Sequence, residues 1–384
     1  MKKLFLIKRF SISILLICLV ISFAACGGGG GGGDPHAHSY GEWTVKTAAT
    51  CTEDAVEKRT CSCGDEQTRN STTNFALGHD RSGSWFTKAP EGYLYKTCQR
   101  IGCAEELRMD GEMAKIPAGT VKMGPIQVEG DDLYLNVTFN SGFFMSKYLV
   151  TQELYQLVMG ANPSYFTPDN GKPPATGEVD GKRPVESVSW YDAIVFCNKL
   201  SIIEGLTPVY KISGSTDPDV WITAAGGAVP IINNPTWDAV EMVSGASGYR
   251  LPTEVQWEYA CRAGSTTSWY FGDTESDLVN YAWYDANANA MTHQVGLKTA
   301  NAWGLYDMHG NVWEWCWDWF DDYPDSAEQP KTGEWTGPSS TMDFRVVRGG
   351  AWTVNLAGDL FSAYRIDVRP EEGGSHVGFR VVRL

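Results

Sequence analysis

Cysteine and histidine are the residues of this chain with the most chemistry to offer, and their spacing narrows what they can do. Cys197, Cys261 and Cys316 each sit among apolar or aromatic neighbours, where a buried thiol behaves as a small hydrophobe and not as a nucleophile. His376 and Asp359 have the types of a general base and its orienter, yet no nucleophile accompanies them, and single His and Asp residues on a loop are usually solvated. His293 and His309 lack a carboxylate at the i, i+4 spacing that would argue for an iron site. Nearer the N-terminus, Cys51, Cys61, Cys63, Cys98 and Cys103 lie among His36, His38 and His79, and three readings are open: disulfides, a zinc site built from Cys51, Cys61, Cys63 and a histidine, or no cross-link. Five thiols leave one over, and Cys-x-Cys is tighter than the usual zinc-ligand gap.

The chain of 384 residues is long enough for more than one domain, and 43% hydrophobic with 12% aromatic content can fill a core. Residues 1–25 have a basic start, an apolar run from Ile12 to Phe23 and a small-residue end, which together read as a secretory signal too short for a stop-transfer helix. Cys26 follows two alanines as in a bacterial lipobox, so cleavage before it and acylation of its thiol and amine are expected. Residues 26–35, with seven consecutive glycines, form a flexible tether, and more than one acyl chain would hold the protein on its membrane. The expected location is extracytoplasmic, at the outer membrane or cell surface. Removing the four basic residues of the leader leaves 27 against 46 acids, about −19, a charge that disfavours nucleic acid as a partner.

Residues 36–108 read as a small module of two loose repeats, His38, Trp43, Cys61, Cys63 and His79, Trp85, Cys98, Cys103. In the remaining 109–384, three helices have identifiable start and stop signals. Thr151 caps Gln152 to Met159, which Gly160 ends; Ser189 caps Trp190 to about Ile203; Thr253 and Gln256 form a capping box opening Val255 to Ala263, before Gly264. Arg345 to Arg348 and Val377 to Arg383 read as strands that could pair, and Trp313, Trp315, Trp317 and Trp319 would share one face of an extended segment. Between them, Thr216 to Ser247 is a long insertion that could be a lid, a wall or a surface loop.

Several segments follow one another in a distinctive order: IPAGTVKMG at Ile116, RPVESVSWYDAIVFCNKLS at Arg183, YRLPTEVQWEYACRAG at Tyr249, GLYDMHGNVWEWCWDW at Gly304, RVVRGGAW at Arg345 and the closing GFRVVRL at Gly378. By these residues the chain resembles the formylglycine-generating enzyme (sulfatase-modifying factor) family. That resemblance implies an α+β, C-type-lectin-like fold with short strands, about three helices and long ordered loops. Catalytic members carry a copper-binding cysteine pair after the RGG[S/A]W-type segment. Here Trp352 to Phe361 contains no thiol, neither Val354 nor Asp359 can replace one, and no copper is expected. The GNVWEW-type segment of the family contributes to a calcium site, which makes Asn311 and Glu314 candidate ligands for a structural calcium; the alternative is that Asn311 bonds its own turn and Glu314 pairs with an arginine.

Framework-like residues such as Gly349, Gly350, Ser362, Arg365 and Gly378 alternate with residues of other types between Trp352 and His376. The chain is most similar here to the variable proteins of diversity-generating retroelements, lipid-anchored treponemal ones included, in which a rigid scaffold displays changing side chains. The resemblance implies a binding surface made by Trp352, Thr353, Val354, Asn355, Leu356, Asp359, Leu360, Phe361, Tyr364, Ile366, Asp367, Val368, Ser375 and His376. A protein or glycan is the expected partner, and no catalytic residue is assigned. Core packing of Leu356, Leu360 and Phe361 is the alternative.

Overall fold

The computed structural model describes residues 40–47, 56–61, 66–70, 86–88, 93–97, 106–108, 112–128, 131–322, 331–332 and 343–384. The chain divides into two compact units, Met1–His79 and Asp80–Leu384, so the boundary falls inside the stretch expected to form one N-terminal module. The first unit contains a three-stranded antiparallel meander, β1 (Thr44–Thr47), β2 (Val56–Thr60) and β3 (Glu66–Asn70). Its exposed face is laced by cations on rings: Arg59 lies 4.8 Å from the Tyr40 ring and 4.7 Å from that of Trp43, and Arg69 lies 4.2 Å from Trp43. The second unit opens with a second meander, β4 (Phe86–Lys88), β5 (Tyr93–Thr97) and β6 (Glu106–Arg108). Each stretch of the loose sequence repeat thus contains a three-stranded antiparallel meander. Of the N-terminal cysteines, Cys61 is buried and bridges Tyr40 through its backbone; Cys26, Cys51, Cys63, Cys98 and Cys103 lie outside the described residues.

The main domain continues with β7 (Met113–Ile116), the long hairpin of β8 (Gly119–Val128) and β9 (Asp131–Phe139), and β10 (Phe143–Ser146). Helices α1 (Gln152–Met159) and α2 (Trp190–Ile203) then start where the capping residues predict. Thr151 accepts from the Leu154 N–H, and Ser189 and Asp192 form a reciprocal capping box. The insertion is not a loop. It holds α3 (Pro218–Ala224), α4 (Pro235–Asp238) and β12 (Glu241–Met242), and β12 pairs with β11 (Tyr210–Lys211), which precedes the insertion. Trp221 and Trp237 are buried against each other and against Tyr191, whose hydroxyl donates to Asp238 at 2.6 Å, so the segment folds as a cap on α2. Helix α5 (Glu254–Arg262) has the predicted Thr253/Gln256 box, but Ala263, not Gly264, takes the first left-handed position after it.

The remaining strands are β13 (Trp313–Trp319), β14 (Lys331–Thr332), β15 (Arg345–Arg348), β16 (Arg365–Val368), β17 (Val377–Gly378) and β18 (Val382–Arg383). The expected pairing of Arg345–Arg348 with the 377–383 segment is wrong. The sheet order is β16-β15-β13-β17, with β13 between them, while β18 leaves to join β10 and β7. The reason lies in β13, whose tryptophans face one way and Glu314, Cys316 and Asp318 the other, with both sides buried, so it is most stable where both faces are covered. Trp313 and Trp315 enter one core with α1, α2, Val347 and Phe379; Cys316 enters the other with Val346, Trp257 of α5 and the β8–β10 strands. Alternation along β13 and β15 therefore feeds two cores from one sheet. Indole donors tie the strand in place: Trp315 Nε1 donates to the Val188 carbonyl at 3.0 Å, and Trp190 Nε1 to that of Cys316 at 2.9 Å.

Candidate ligand-binding site

The segment after β15 turns on two glycines and runs over the edge of both cores. Gly350 has φ +80°, and a Cβ there would lie 2.3 Å from Leu360 Cδ2. Gly350→Ala is therefore expected to lower stability by roughly 1–3 kcal/mol through strain and overpacking, read as a fall in melting temperature. Unchanged melting would mean that the 357–360 turn yields instead. Beyond the glycines, Trp352 is half-buried. Its Nε1 donates to the Ser375 carbonyl at 2.9 Å, and its ring meets Phe166 in a T-shaped contact at 5.3 Å. Tyr165 packs on Phe166, and the Lys172 ammonium lies 4.5 Å from the Tyr165 ring, which extends the aromatic floor.

The fourteen expected surface residues separate into three groups. Thr353, Asn355, Leu356, Phe361 and Asp367 are exposed, Leu356 at 63%. Trp352, Asp359, Tyr364, Ile366, Val368, Ser375 and His376 are half-buried. Val354 and Leu360 do not belong to a binding surface, because both are buried in the larger core, Leu360 completely. The short 3-10 turn Ala357–Leu360 produces this split by presenting Asp359 outward and Leu360 inward. On β16, an edge strand, Asp367 faces solvent while Ile366 and Val368 pack against the core. His376 sits over Gly374, and burial lowers its pKa, which favours the neutral ring.

Asn311 and Glu314 do not form a ligand pair in this structure. Asn311 accepts from the His293 N–H at 3.1 Å and donates to the His293 carbonyl at 3.0 Å. Both Glu314 oxygens are held by the Arg380 guanidinium, at 2.6 and 2.9 Å. Glu314 thus takes the alternative role weighed from the sequence, pairing with an arginine, whereas Asn311 bonds the distant His293 backbone and not its own turn. Among the described residues no group of three or more His, Cys, Asp or Glu side chains is placed to hold a metal. The three domain cysteines are fully buried, and desolvation pushes each thiol up, that of Cys261 to about 12. None has the thiolate character that nucleophilic or redox chemistry requires. His309, stacked on Tyr270 at 4.8 Å, is held neutral by burial and then by Arg262, its pKa depressed to about 3.

A cleft of about 600 Å³ opens beside the 3-10 turn. It is lined by Arg262, Thr266, Thr267, Ser268 and Asp273 on one side and by Asp359, Phe361, Tyr364 and Arg365 on the other. Only Asp359, Phe361 and Tyr364 of these were named from the sequence as binding residues. The hydroxyl-rich run Ser265–Ser268 just after α5 was the available signal for the opposite wall. Behind the cleft a buried charge network holds both walls: Arg348 contacts Glu258 and Glu254, Arg262 pairs with Glu258, and Arg365 pairs with Glu254.

The profile of the Sulfatase-modifying factor enzyme 1-like domain matches residues 102–384. The chain belongs to this family. Treponema denticola variable protein 1 is a similar solved structure, with a TM-score of 0.63 and 39% identity, over 71% of this chain and 94% of that one. Among curated relatives, Chaperone protein LppX of Paenibacillus barcinonensis is 39% identical over 268 residues, 65% of this chain and 82% of the relative. The formylglycine-generating enzyme of Streptomyces coelicolor is 33% identical over 164 residues, 38% of this chain, which spans about half of that enzyme. These likenesses agree with the α+β sulfatase-modifying-factor architecture expected from the sequence.

Proposed function

We propose that this family member is a binding protein, not an oxidase, carried outside the cytoplasm on an acylated Cys26 and presented at the outer membrane or cell surface. Its partner, a protein or glycan, docks on the surface from Trp352 to His376. The observation that carries the reading is the separation of roles in that segment. Glycines, arginines and buried aliphatics hold the backbone, while Thr353, Asn355, Leu356 and Asp367 project outward and Phe361, packed on Trp269, stays partly open to solvent. Half-buried Trp352 on Phe166 supplies a rigid aromatic anchor beside them, the usual centre of a binding hot spot. Similarity to a variable protein supports diversification of the exposed positions. No thiol lies in Trp352–Phe361, and the copper chemistry of the enzymes has no soft ligand there.

The test is a partner screen with the full chain against surface proteins and glycans, followed by two variants. Trp352→Ala is expected to weaken the selected partner by roughly 2 kcal/mol or more, about thirtyfold. The triple variant Thr353→Ala, Asn355→Ala, Leu356→Ala is expected to lose binding with an unchanged melting temperature, because those side chains support no core. Turnover of a Cys-x-Pro-x-Arg peptide in the presence of copper would overturn the reading.

A further inference from the structure

The cleft beside the 3-10 turn has a charge pattern that selects among ligands. Two guanidinium groups wall it, but neither is available. Arg262 has its nitrogens 2.6–3.0 Å from the Glu258 carboxylate and the Thr267 and Gly124 carbonyls. Those of Arg365 lie 2.7–2.8 Å from the Glu254 carboxylate and the Asp321 carbonyl. An anionic ligand would find both cations already neutralised. The carboxylates are in the opposite condition. Asp273 is exposed and accepts the Ser268 N–H at 2.8 Å, and this bonding holds its carboxyl below the usual range, so it stays charged. Asp359 is half-buried and lines the cleft with Tyr364. Among the described residues neither carboxylate has an ion-pair partner. Two aromatic rings line the same cleft, Tyr364 and Phe361, the latter braced by Trp269 at 4.9 Å yet 37% exposed.

Uncompensated carboxylates flanking open rings in a pre-formed cleft suit a planar cation, which can pair with the carboxylate and lie on the ring face at once. The chain's net charge of −15 draws such a group toward the site. We propose that the cleft between Asp273 and Asp359 takes a guanidinium group of the partner, an exposed arginine of a protein, seated against Phe361 and Tyr364. This deepens the binding function proposed above and rests on it. It also separates the two partner classes, because a neutral glycan would use the same hydroxyls and rings without any need for charge.

The experiment titrates the full chain, in detergent, with N-acetyl-arginine amide and with its uncharged isostere N-acetyl-citrulline amide, followed by calorimetry. The arginine compound is expected to bind at least ~10-fold more tightly than the citrulline one, a preference that a charged, aromatic-lined cleft provides. Asp273→Asn with Asp359→Asn should bring the two within ~2-fold at an unchanged melting temperature, since neither carboxylate supports the buried network. Equal affinity of the two compounds for the parent chain would overturn the proposal, as would preference for a neutral oligosaccharide or a retained preference in the double variant. A partner that requires Thr353, Asn355 and Leu356 yet ignores both Asp→Asn changes would remove the cleft from the site while leaving the binding function intact.

Discussion

Arg380→Ala is expected to lower the unfolding free energy by roughly 3–5 kcal/mol, the usual result of leaving a buried charge without its partner. Arg380 and Glu314 are both fully buried, and the guanidinium meets the carboxylate in a two-point contact at 2.6 and 2.9 Å. The same guanidinium donates to the Ser146 carbonyl at 3.2 Å and the Tyr306 carbonyl at 2.9 Å, so it joins β10, β13, the turn before β13 and the last strand region. Arg380→Lys should recover little, because a compact ammonium cannot span the fork. Pairing Arg380→Met with Glu314→Leu should recover most of the loss, since it removes both charges together. Urea unfolding of the variants measures all three. A loss below ~1 kcal/mol for Arg380→Ala would show that Glu314 has a second counter-charge. That result would point to the calcium ion that the family resemblance implies for Asn311 and Glu314.

Local signals carried most of what could be read in advance about the fold. Thr151, Ser189 and Thr253 cap the helices they were expected to cap, because a cap is decided by a side chain and the N–H groups two or three residues away. Pairing of the C-terminal strands was misread for the opposite reason: strand order depends on which segment can bury both faces, and that is a property of the whole sheet. The helices of the insertion escape a sequence reading because they are short and start at Pro218 and Pro235, where proline reads as punctuation until the N1 position is known.

The candidate site stands out where backbone framework and side-chain type disagree. A polar or aromatic residue between glycines and arginines is conspicuous, and Thr353, Asn355 and Phe361, which stand out that way, are exposed in the structure. Val354 and Leu360 were misassigned because a single 3-10 turn decides which of two neighbours points inward, and nothing in the residue types distinguishes that turn from an extended loop. The opposite wall of the cleft, Thr266 to Asp273, is about ninety residues away in sequence and meets the 358–365 segment only through the tertiary fold. One contact of that meeting is the Ser362 N–H donating to the Ser268 carbonyl at 2.8 Å.

The charge network behind the cleft should respond to pH through Asp318. Burial, then the neighbouring Glu254 carboxylate, raises the Asp318 pKa from 3.8 to about 7, and its Oδ2 accepts the Glu254 N–H at 2.7 Å at the start of α5. The folded chain therefore holds this proton more tightly than the unfolded one. Its stabilising contribution is fully present below about pH 4 and is lost as pH rises through about 7. Asparagine imitates the neutral acid, since its carbonyl can still accept the Glu254 N–H. Asp318→Asn should accordingly match the parent within ~1 kcal/mol at pH 4 and exceed it by ~2–4 kcal/mol at pH 8, where the parent must keep a buried carboxylate charged. Asp307, raised to about 6 by burial, and His309, depressed to about 3, also bend the stability curve, but both are common to the two chains and cancel in the difference. Urea unfolding at the two pH values reads that difference directly, and equal stability at both would mean that Asp318 is already ionised in the folded protein at low pH. Because Glu254 holds Arg348 and Arg365 together, charging Asp318 acts on the same network that fixes the cleft wall.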